Sequence, residues 1–437
     1  MDKIIKRHLW SDLVSDLDKE RITILLGPRQ VGKTTLLLRL IEHLKEKGVD
    51  ERSIFYYNFD DIDLRSNMKR DFRFIQKDIE KRIGTPIENG SKIYLFLDEG
   101  QKSPSVFELV KLFFDKNYPL KCFISGSSSL NIKDKSVETL SGRVHYFYLS
   151  PVSFSESIGQ DFGLYRHLEN INNLQDIKEL ASFGYRHIEK YQRLFYRLLF
   201  LGGLPKIISL KDEDSISYLN DFLSSYLDKD IKDIGAKVDI ESFHLSFKYL
   251  SSYCADLFNF SKLGEDLGIK RDSLYRYFEL LEKTLVVKTV SPFIFLQMKH
   301  ICKSRKLFFF DNGVVNRLKG FISFEEVVRA QFMGKVFENF IFQNLYSRSL
   351  NDLKKPDFYY YRDYQDHEID FIYQRGGNTI PIEASYTTQI SGKKLRNFSR
   401  FFSLFPSAQY GIIFYLGEIK KLKVKDKRIF AVPYFLV

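Results

Sequence analysis

The sequence predicts an α/β chain built on a parallel sheet, from three apolar runs and from the polar residues that close each of them. Residues 21–26 (Arg-Ile-Thr-Ile-Leu-Leu) are apolar and β-branched, as suits a strand buried on both faces. They lead into Gly27-Pro28-Arg29-Gln30-Val31-Gly32-Lys33-Thr34 and then into residues 35–41, which read as a helix. Strand, GxxxxGK[ST] loop and helix stand in the order that a phosphate-binding loop needs. Residues 92–97 form a second run that ends in Asp98-Glu99, and residues 120–124 a third that ends in Ser125-Gly126-Ser127-Ser128-Ser129. Polar groups at the C-terminal tips of buried strands occupy the edge where open α/β sheets bind ligands.

Each residue type has a chemical reason to be there. Glycines let backbone N–H groups turn inward around phosphate oxygens, and the helix N-terminus adds its partial positive charge. Gly27, Pro28, Arg29, Gln30, Val31, Gly32, Lys33, Thr34 and Thr35 are therefore the expected ATP-binding loop. Lys33 would neutralise the β- and γ-phosphates, and Thr34 and Asp98 would hold Mg2+. Glu99 would orient and deprotonate the attacking water. Ser127 would touch the γ-phosphate or that water; its alternative is a turn hydroxyl that caps the next helix. Arg143, in Ser141-Gly142-Arg143 before the strand-like residues 144–149, would stabilise charge on the transferring phosphoryl group, in cis or from a neighbouring subunit.

These motifs, together with Leu97-Asp98-Glu99-Gly100-Gln101, Gly202-Gly203-Leu204-Pro205, Phe310-Asp311-Asn312-Gly313 and Gly334-Lys335-Val336-Phe337-Glu338-Asn339, resemble the prokaryotic AAA-superfamily ATPases of the archaeal-ATPase type. The resemblance spans nearly the whole chain. It implies a P-loop NTPase core related to switch-like ATPases, a winged-helix middle and a restriction-nuclease-like α/β end. With a helical lid between core and middle, the expected parts are 1–155, 156–235, 236–325 and 326–437.

The segment from about 161 to 235 carries apolar residues at helical spacing, such as Tyr191, Leu194, Phe195, Leu198 and Leu199, and is the lid or linker. Residues 260–281 read as helix, Gly turn and helix, and residues 285–290 as the start of a wing. Lys270, Arg271, Ser273 and Arg276 would then face DNA. Residues 334–342 form an amphipathic helix with Glu338. Residues 367–373 and 379–386 form a hairpin around Gly376-Gly377, which places Asp370 and Glu383 on paired strands. Three such carboxylates would make a second metal site, as in the PD-(D/E)xK nuclease arrangement that this end resembles. One departure stands out: Ser385 occupies the place of that family's lysine, and Lys393 or Lys394 would have to supply the amine from a helix.

Composition sets the remaining bounds. With 44% hydrophobic and 28% charged residues, 24 Gly and 11 Pro, the chain is globular and neither collagen-like nor disordered. No apolar stretch is long enough to span a membrane, and a charged N-terminus argues against export. Cys122, Cys254 and Cys302 are too scattered for a disulfide framework or zinc cluster, which fits the cytoplasm. The net charge is +11, and residues 386–437 hold ten Lys or Arg against two acids, a basic region able to meet phosphate backbones. The expected protein is a Mg2+-dependent ATPase acting as a conformational switch associated with DNA, with an oligomer as an option. Its alternatives are a signalling or defence ATPase with a protein partner and an ATP-gated, metal-dependent nuclease.

Overall fold

Each of the three apolar runs becomes a strand in the computed structural model, which describes residues 5–127, 140, 142–161, 163–171, 174–233, 239–293 and 304–437. Ser128, Ser129, Ser141 and Cys302 of the sequence motifs lie outside these residues. The chain folds into two compact units, one of residues 6–150 with 283–285 and one of residues 151–282 with 286–437 and residue 5.

The first unit is a five-stranded parallel sheet. Its strands are β1 (Ile22–Leu26), β2 (Ile54–Asn58), β3 (Ile93–Asp98), β4 (Leu120–Gly126) and β5 (Val144–Tyr148), in the order β2-β3-β4-β1-β5. Every residue of β1 and β3 is buried, because crossover helices cover both faces. Ile24, Leu26, Leu95, Leu97 and Ile124 pack with Phe107, Val110 and Ile79 from those helices. This order sets β3, β4 and β1 side by side, so the three polar tips noted in the sequence share one edge of the sheet.

At the opposite edge a single carboxylate ties strands together. Asp16 ends the helix Trp10–Asp16 and is fully buried. It accepts hydrogen bonds from Thr23 on β1 and from Lys121 Nζ on β4 (3.0 Å), and lies 2.8 Å from His145 Nδ1 on β5. Burial by itself would raise its pKa, but the bonds from Thr23, His145 and Lys121 and the charge of Lys121 hold the carboxyl at about 2.

The second unit is one nine-stranded mixed sheet. Its strands are β6 (Asp256–Phe258), β7 (Val287–Pro292), β8 (Arg305–Phe309), β9 (Asp357–Arg362), β10 (Glu368–Arg375), β11 (Asn378–Ser385), β12 (Tyr410–Tyr415), β13 (Lys420–Val424) and β14 (Lys427–Pro433). Their order is β13-β14-β12-β11-β10-β9-β7-β8-β6. The expected hairpin is present as β10 and β11, turning at Gly376 and Gly377, both with positive φ. Because β7 pairs in parallel with β9 at Ser291–Tyr359 and Pro292–Tyr360, the antiparallel β6-β8-β7 ribbon continues into the C-terminal strands. The expected divisions at 235 and 325 both fall inside this one compact unit.

Two further expectations change for the same reason. The apolar face of the helix Ile188–Leu201 is built into this unit's own core, where the Phe195 and Tyr434 rings stack 3.8 Å apart. The helix Met333–Ser349, expected to be amphipathic, buries Val336, Phe337, Glu338, Asn339, Phe340, Ile341 and Phe342 in succession and so is enclosed on nearly all sides. A second core, on the helix Gly392–Leu404, joins Phe398, Phe401 and Phe402 to Tyr361, Ile369 and Ile413. Asp311 accounts for two motifs: it caps the helix Asn312–Leu318 at Val314 N (3.1 Å) and accepts from Gly203 N (2.7 Å), fastening Gly202-Gly203 to that helix start.

Three of the ten basic C-terminal residues, Lys420, Lys421 and Lys423, are exposed on the edge strand β13. Lysines there discourage pairing with another sheet, a structural use that needs no ligand. Among the described residues no helix is long and apolar enough to cross a membrane, and Cys122 and Cys254 are buried and free.

Replacing Asp16 with Ala leaves the Lys121 ammonium buried without its carboxylate and should cost about 3–5 kcal/mol in denaturant unfolding of the first unit. The folded carboxyl lies below its ordinary value of 3.8, so its contribution is complete above that pH and is lost as pH falls from about 4 to about 2. Unfolding titrations of Asp16→Asn should show a flatter acid limb than wild type.

Candidate active site

The loop after β1 has the geometry of an anion cradle. Gly32 takes φ 97° and Gln30 φ 60°, which turns successive N–H groups to one side. The helix Lys33–Glu46 begins directly after Gly32, and no side chain caps its start. Lys33 is buried, and its Nζ donates to the Gly27 carbonyl (3.0 Å) and the Pro28 carbonyl (2.9 Å), which folds the amine back over the loop. Arg7 secures the loop from behind, donating to the carbonyls of Val31 (2.8 Å) and Ser150 (2.5 Å).

The tip of β3 meets that loop. Asp98 is fully buried and accepts from Thr34 Oγ1 (2.7 Å) and Tyr56 OH (2.9 Å) on one oxygen and from Ser125 Oγ on the other. Ser125 Oγ in turn accepts from the Glu99 N–H (3.1 Å). Glu99 has a left-handed backbone, φ 53°, and its carboxylate is held by Gln101 Nε2 at 2.5 Å, which also reaches Ser127 Oγ at 3.1 Å. Lys33, Thr34, Asp98, Glu99 and Ser127 thus come together at one sheet edge.

Arg143 does not join them. It precedes β5, and its carbonyl accepts from Ile22 N at the start of β1, whereas the phosphate loop follows the end of β1. At about 3.3 Å per residue the strand sets them roughly 16 Å apart. Its guanidinium pairs with Asp115 (2.8 Å) and lies over the Phe114 ring. Of the two expected roles, the one in cis is excluded by this position.

Sequence reasoning missed Tyr56, Ser125 and Gln101 as members of the site. Ser125 was within reach, since strand alternation gives Ser125 and Ser127 the same face. Tyr56 carried no sequence signal, because only the pairing of β2 with β3 brings it to Asp98.

In the second unit the carboxylates of Glu338, Asp370 and Glu383 do converge, around two lysines. Lys306, almost fully buried, places Nζ 2.5 Å from Glu338, 2.7 Å from Glu368 and 3.6 Å from Asp370. Lys394, from the helix Gly392–Leu404, pairs with Glu383 and lies 3.5 Å from Asp370. Burial, then the nearby Asp370 charge, pushes the Glu338 carboxyl up to about 8 against the pull of Lys306, and burial also raises Glu383. Among the described residues no three His, Cys, Asp or Glu side chains form a set that could hold a metal ion. The three expected carboxylates are thus answered by two ammoniums, Lys306 beside Glu338 and Asp370 and Lys394 beside Glu383 and Asp370, the second arriving from a helix as the sequence suggested. Lys306 and Glu368 were missed, although Glu368 and Asp370 are two residues apart on one strand and therefore share a face.

Lys270, Arg271 and Arg276 are exposed at and after the turn between the helices Phe260–Leu267 and Arg271–Lys283. Exposed Tyr275 stacks on Phe260 at 4.1 Å, with the Arg271 guanidinium 5.3 Å from its ring centre.

Compared with known families, residues 19–158 match the AAA domain. That match covers most of the first unit, whose parallel sheet and phosphate loop are of the P-loop NTPase kind. Residues 192–325 match a domain of unknown function (DUF8612), and residues 333–435 another (DUF4143). Uncharacterized proteins of Mycobacterium bovis and Mycobacterium tuberculosis are each 24% identical over 389 residues, 88% of this chain and 75% of theirs. One of Haemophilus influenzae is 21% identical over 392 residues, 88% of this chain and 87% of its own. Among solved structures, AMPPCP-bound DnaA from Aquifex aeolicus aligns at 12% identity over 63% of this chain and 86% of that one, with a TM-score of 0.25. A signal transduction ATPase with numerous domains from Pyrococcus horikoshii aligns at 13% identity over 78% of this chain and 45% of that one, also at 0.25.

Lys306→Met removes the cation between Glu338, Glu368 and Asp370 and should destabilise the second unit by about 3–5 kcal/mol in urea. Adding Glu368→Gln should recover part of that loss, because it removes a carboxylate whose partner was Lys306. Equal stabilities for all three proteins would contradict the pairing.

Proposed function

We propose that the chain binds ATP with Mg2+ and hydrolyses it, using the cycle as a conformational switch associated with DNA. The observation that carries the reading is the meeting of the loop and the β3 tip through the 2.7 Å Thr34–Asp98 bond. A buried carboxylate whose partners are hydroxyls, beside an uncapped helix start, is a donor set that fits a metal-bound triphosphate. Bound there, Mg2+ supplies charge neutralisation and a fixed orientation for the phosphates.

The chain's own residues do the rest. Lys33 exchanges the Gly27 and Pro28 carbonyls for phosphate oxygens, a change from neutral to charged partners that strengthens its bonds. Thr34 and Asp98 hold the metal, with Tyr56 and Ser125 keeping the Asp98 carboxylate oriented. Glu99 takes a proton from the attacking water, and Ser127 reports the state of the γ-phosphate. Arg143, far from the phosphate loop of its own chain, serves the site of a neighbouring subunit.

The DNA association is supported by the exposed Lys270, Arg271, Tyr275 and Arg276, and by the helix-turn-helix followed by the β7-β8 pair, the layout of a winged helix. Basic side chains would meet phosphates, and Tyr275 offers a stacking face.

Steady-state ATPase assays with and without duplex DNA test the reading. Lys33→Ala should abolish ATP binding, whereas Glu99→Gln should keep binding and lose about a hundredfold or more in turnover. DNA stimulation should weaken with salt and be lost when Lys270, Arg271 and Arg276 are neutralised. Normal turnover in Glu99→Gln would overturn the base assignment, and indifference to DNA would point to a protein-partnered switch.

A further inference from the structure

Gln101 belongs to the β3 tip, yet none of the chemistry above uses it. Its Nε2 donates at once to Glu99 Oε2 (2.5 Å) and Ser127 Oγ (3.1 Å). The opposite amide orientation would set two oxygens 2.5 Å apart at Glu99, so the donor must face the carboxylate. The Oε1 atom is then left buried without a hydrogen-bond partner among the described residues. A buried orphan acceptor costs stability, and a native site keeps one where the rest of the group is in use.

The backbone around it is shaped to bring this side chain back. Glu99 accepts a left-handed conformation at φ 53°, and residues Gly100–Lys102 form a single 3-10 turn. Only glycine fits at position 100, since a Cβ there would lie 2.6 Å from Ile124 Cγ2 on β4. The sharp turn folds residue 101 over residue 99 and against the end of β4.

We propose that Gln101 is a positioning residue for the base: it holds the Glu99 carboxylate and couples its orientation to Ser127. This rests on the ATPase reading above. A side chain that donates to both partners transmits displacement of Ser127 to Glu99 without touching nucleotide or water. Glutamate at 101 would oppose one carboxylate with another, and asparagine is one methylene too short to serve both.

The test compares ATP turnover and ATP binding in wild type, Gln101→Met, Glu99→Gln and the Glu99→Gln/Gln101→Met double variant. Gln101→Met should lose about tenfold or more in kcat while its Kd for ATP stays within about twofold, because the loop and Asp98 are untouched. In the Glu99→Gln background the same change should have no further effect, since Gln101 acts only through that carboxylate. A Gln101→Met protein with wild-type kcat overturns the proposal, and so does an equal fractional loss in both backgrounds. Should Gln101→Met fail to fold, Gln101→Glu takes its place in the same series. Absence of turnover in the wild type overturns the ATPase reading and this proposal with it; wild-type turnover matched by the Gln101 variants overturns this proposal alone.

Discussion

A carboxylate sealed from water at the end of an all-parallel sheet must have its oxygens satisfied, and Asp98 is such a group. Its partners arrive from three directions: Thr34 from the phosphate loop after β1, Tyr56 from β2 and Ser125 from β4. No local sequence could provide them together. The register of β3 between β2 and β4 does so, and the same register delivers Glu99 N to Ser125 and Gln101 to Ser127. The site is thus a network in which each member orients the next, and the strain at Glu99 is held by its surroundings.

The opposite edge of the same sheet repeats the device with a different purpose. Asp16 joins β1, β4 and β5 through Thr23, Lys121 and His145. Strand order therefore gives two buried carboxylates on one sheet. The one at the C-terminal edge faces hydroxyls and a helix start, which suits a cation and phosphates. The one at the N-terminal edge faces a buried lysine and is complete in itself. Arg143 lies at this second edge, where its carbonyl meets the start of β1.

The second unit shows how a lysine changes the meaning of a carboxylate cluster. Glu338, Asp370 and Glu383 come from a helix and two paired strands, the placement a metal would need. Lys306 and Lys394 enter from β8 and from the helix Gly392–Leu404 and answer those charges internally. The continuity of β7 with β9 brings Lys306 there, by placing the β6-β8-β7 ribbon in the same sheet.

What the sequence by itself determined was local: the strand, loop and helix around residues 27–35, the acidic tip at 98–99, the β10–β11 hairpin and the helix-turn-helix. These arise from hydrophobic period, turn chemistry and motif spacing, which act over a few residues. The tertiary structure alone decided which tips share an edge, that Arg143 lies away from the phosphate loop, that residues 151–282 and 286–437 form one unit, and that lysines occupy the C-terminal cluster. Those outcomes depend on strand order and on pairing between segments up to a hundred or more residues apart, such as Asp16 with His145. Nothing in a local pattern encodes them, because the energy of such a contact belongs to two distant segments and is realised only when the sheet brings them together.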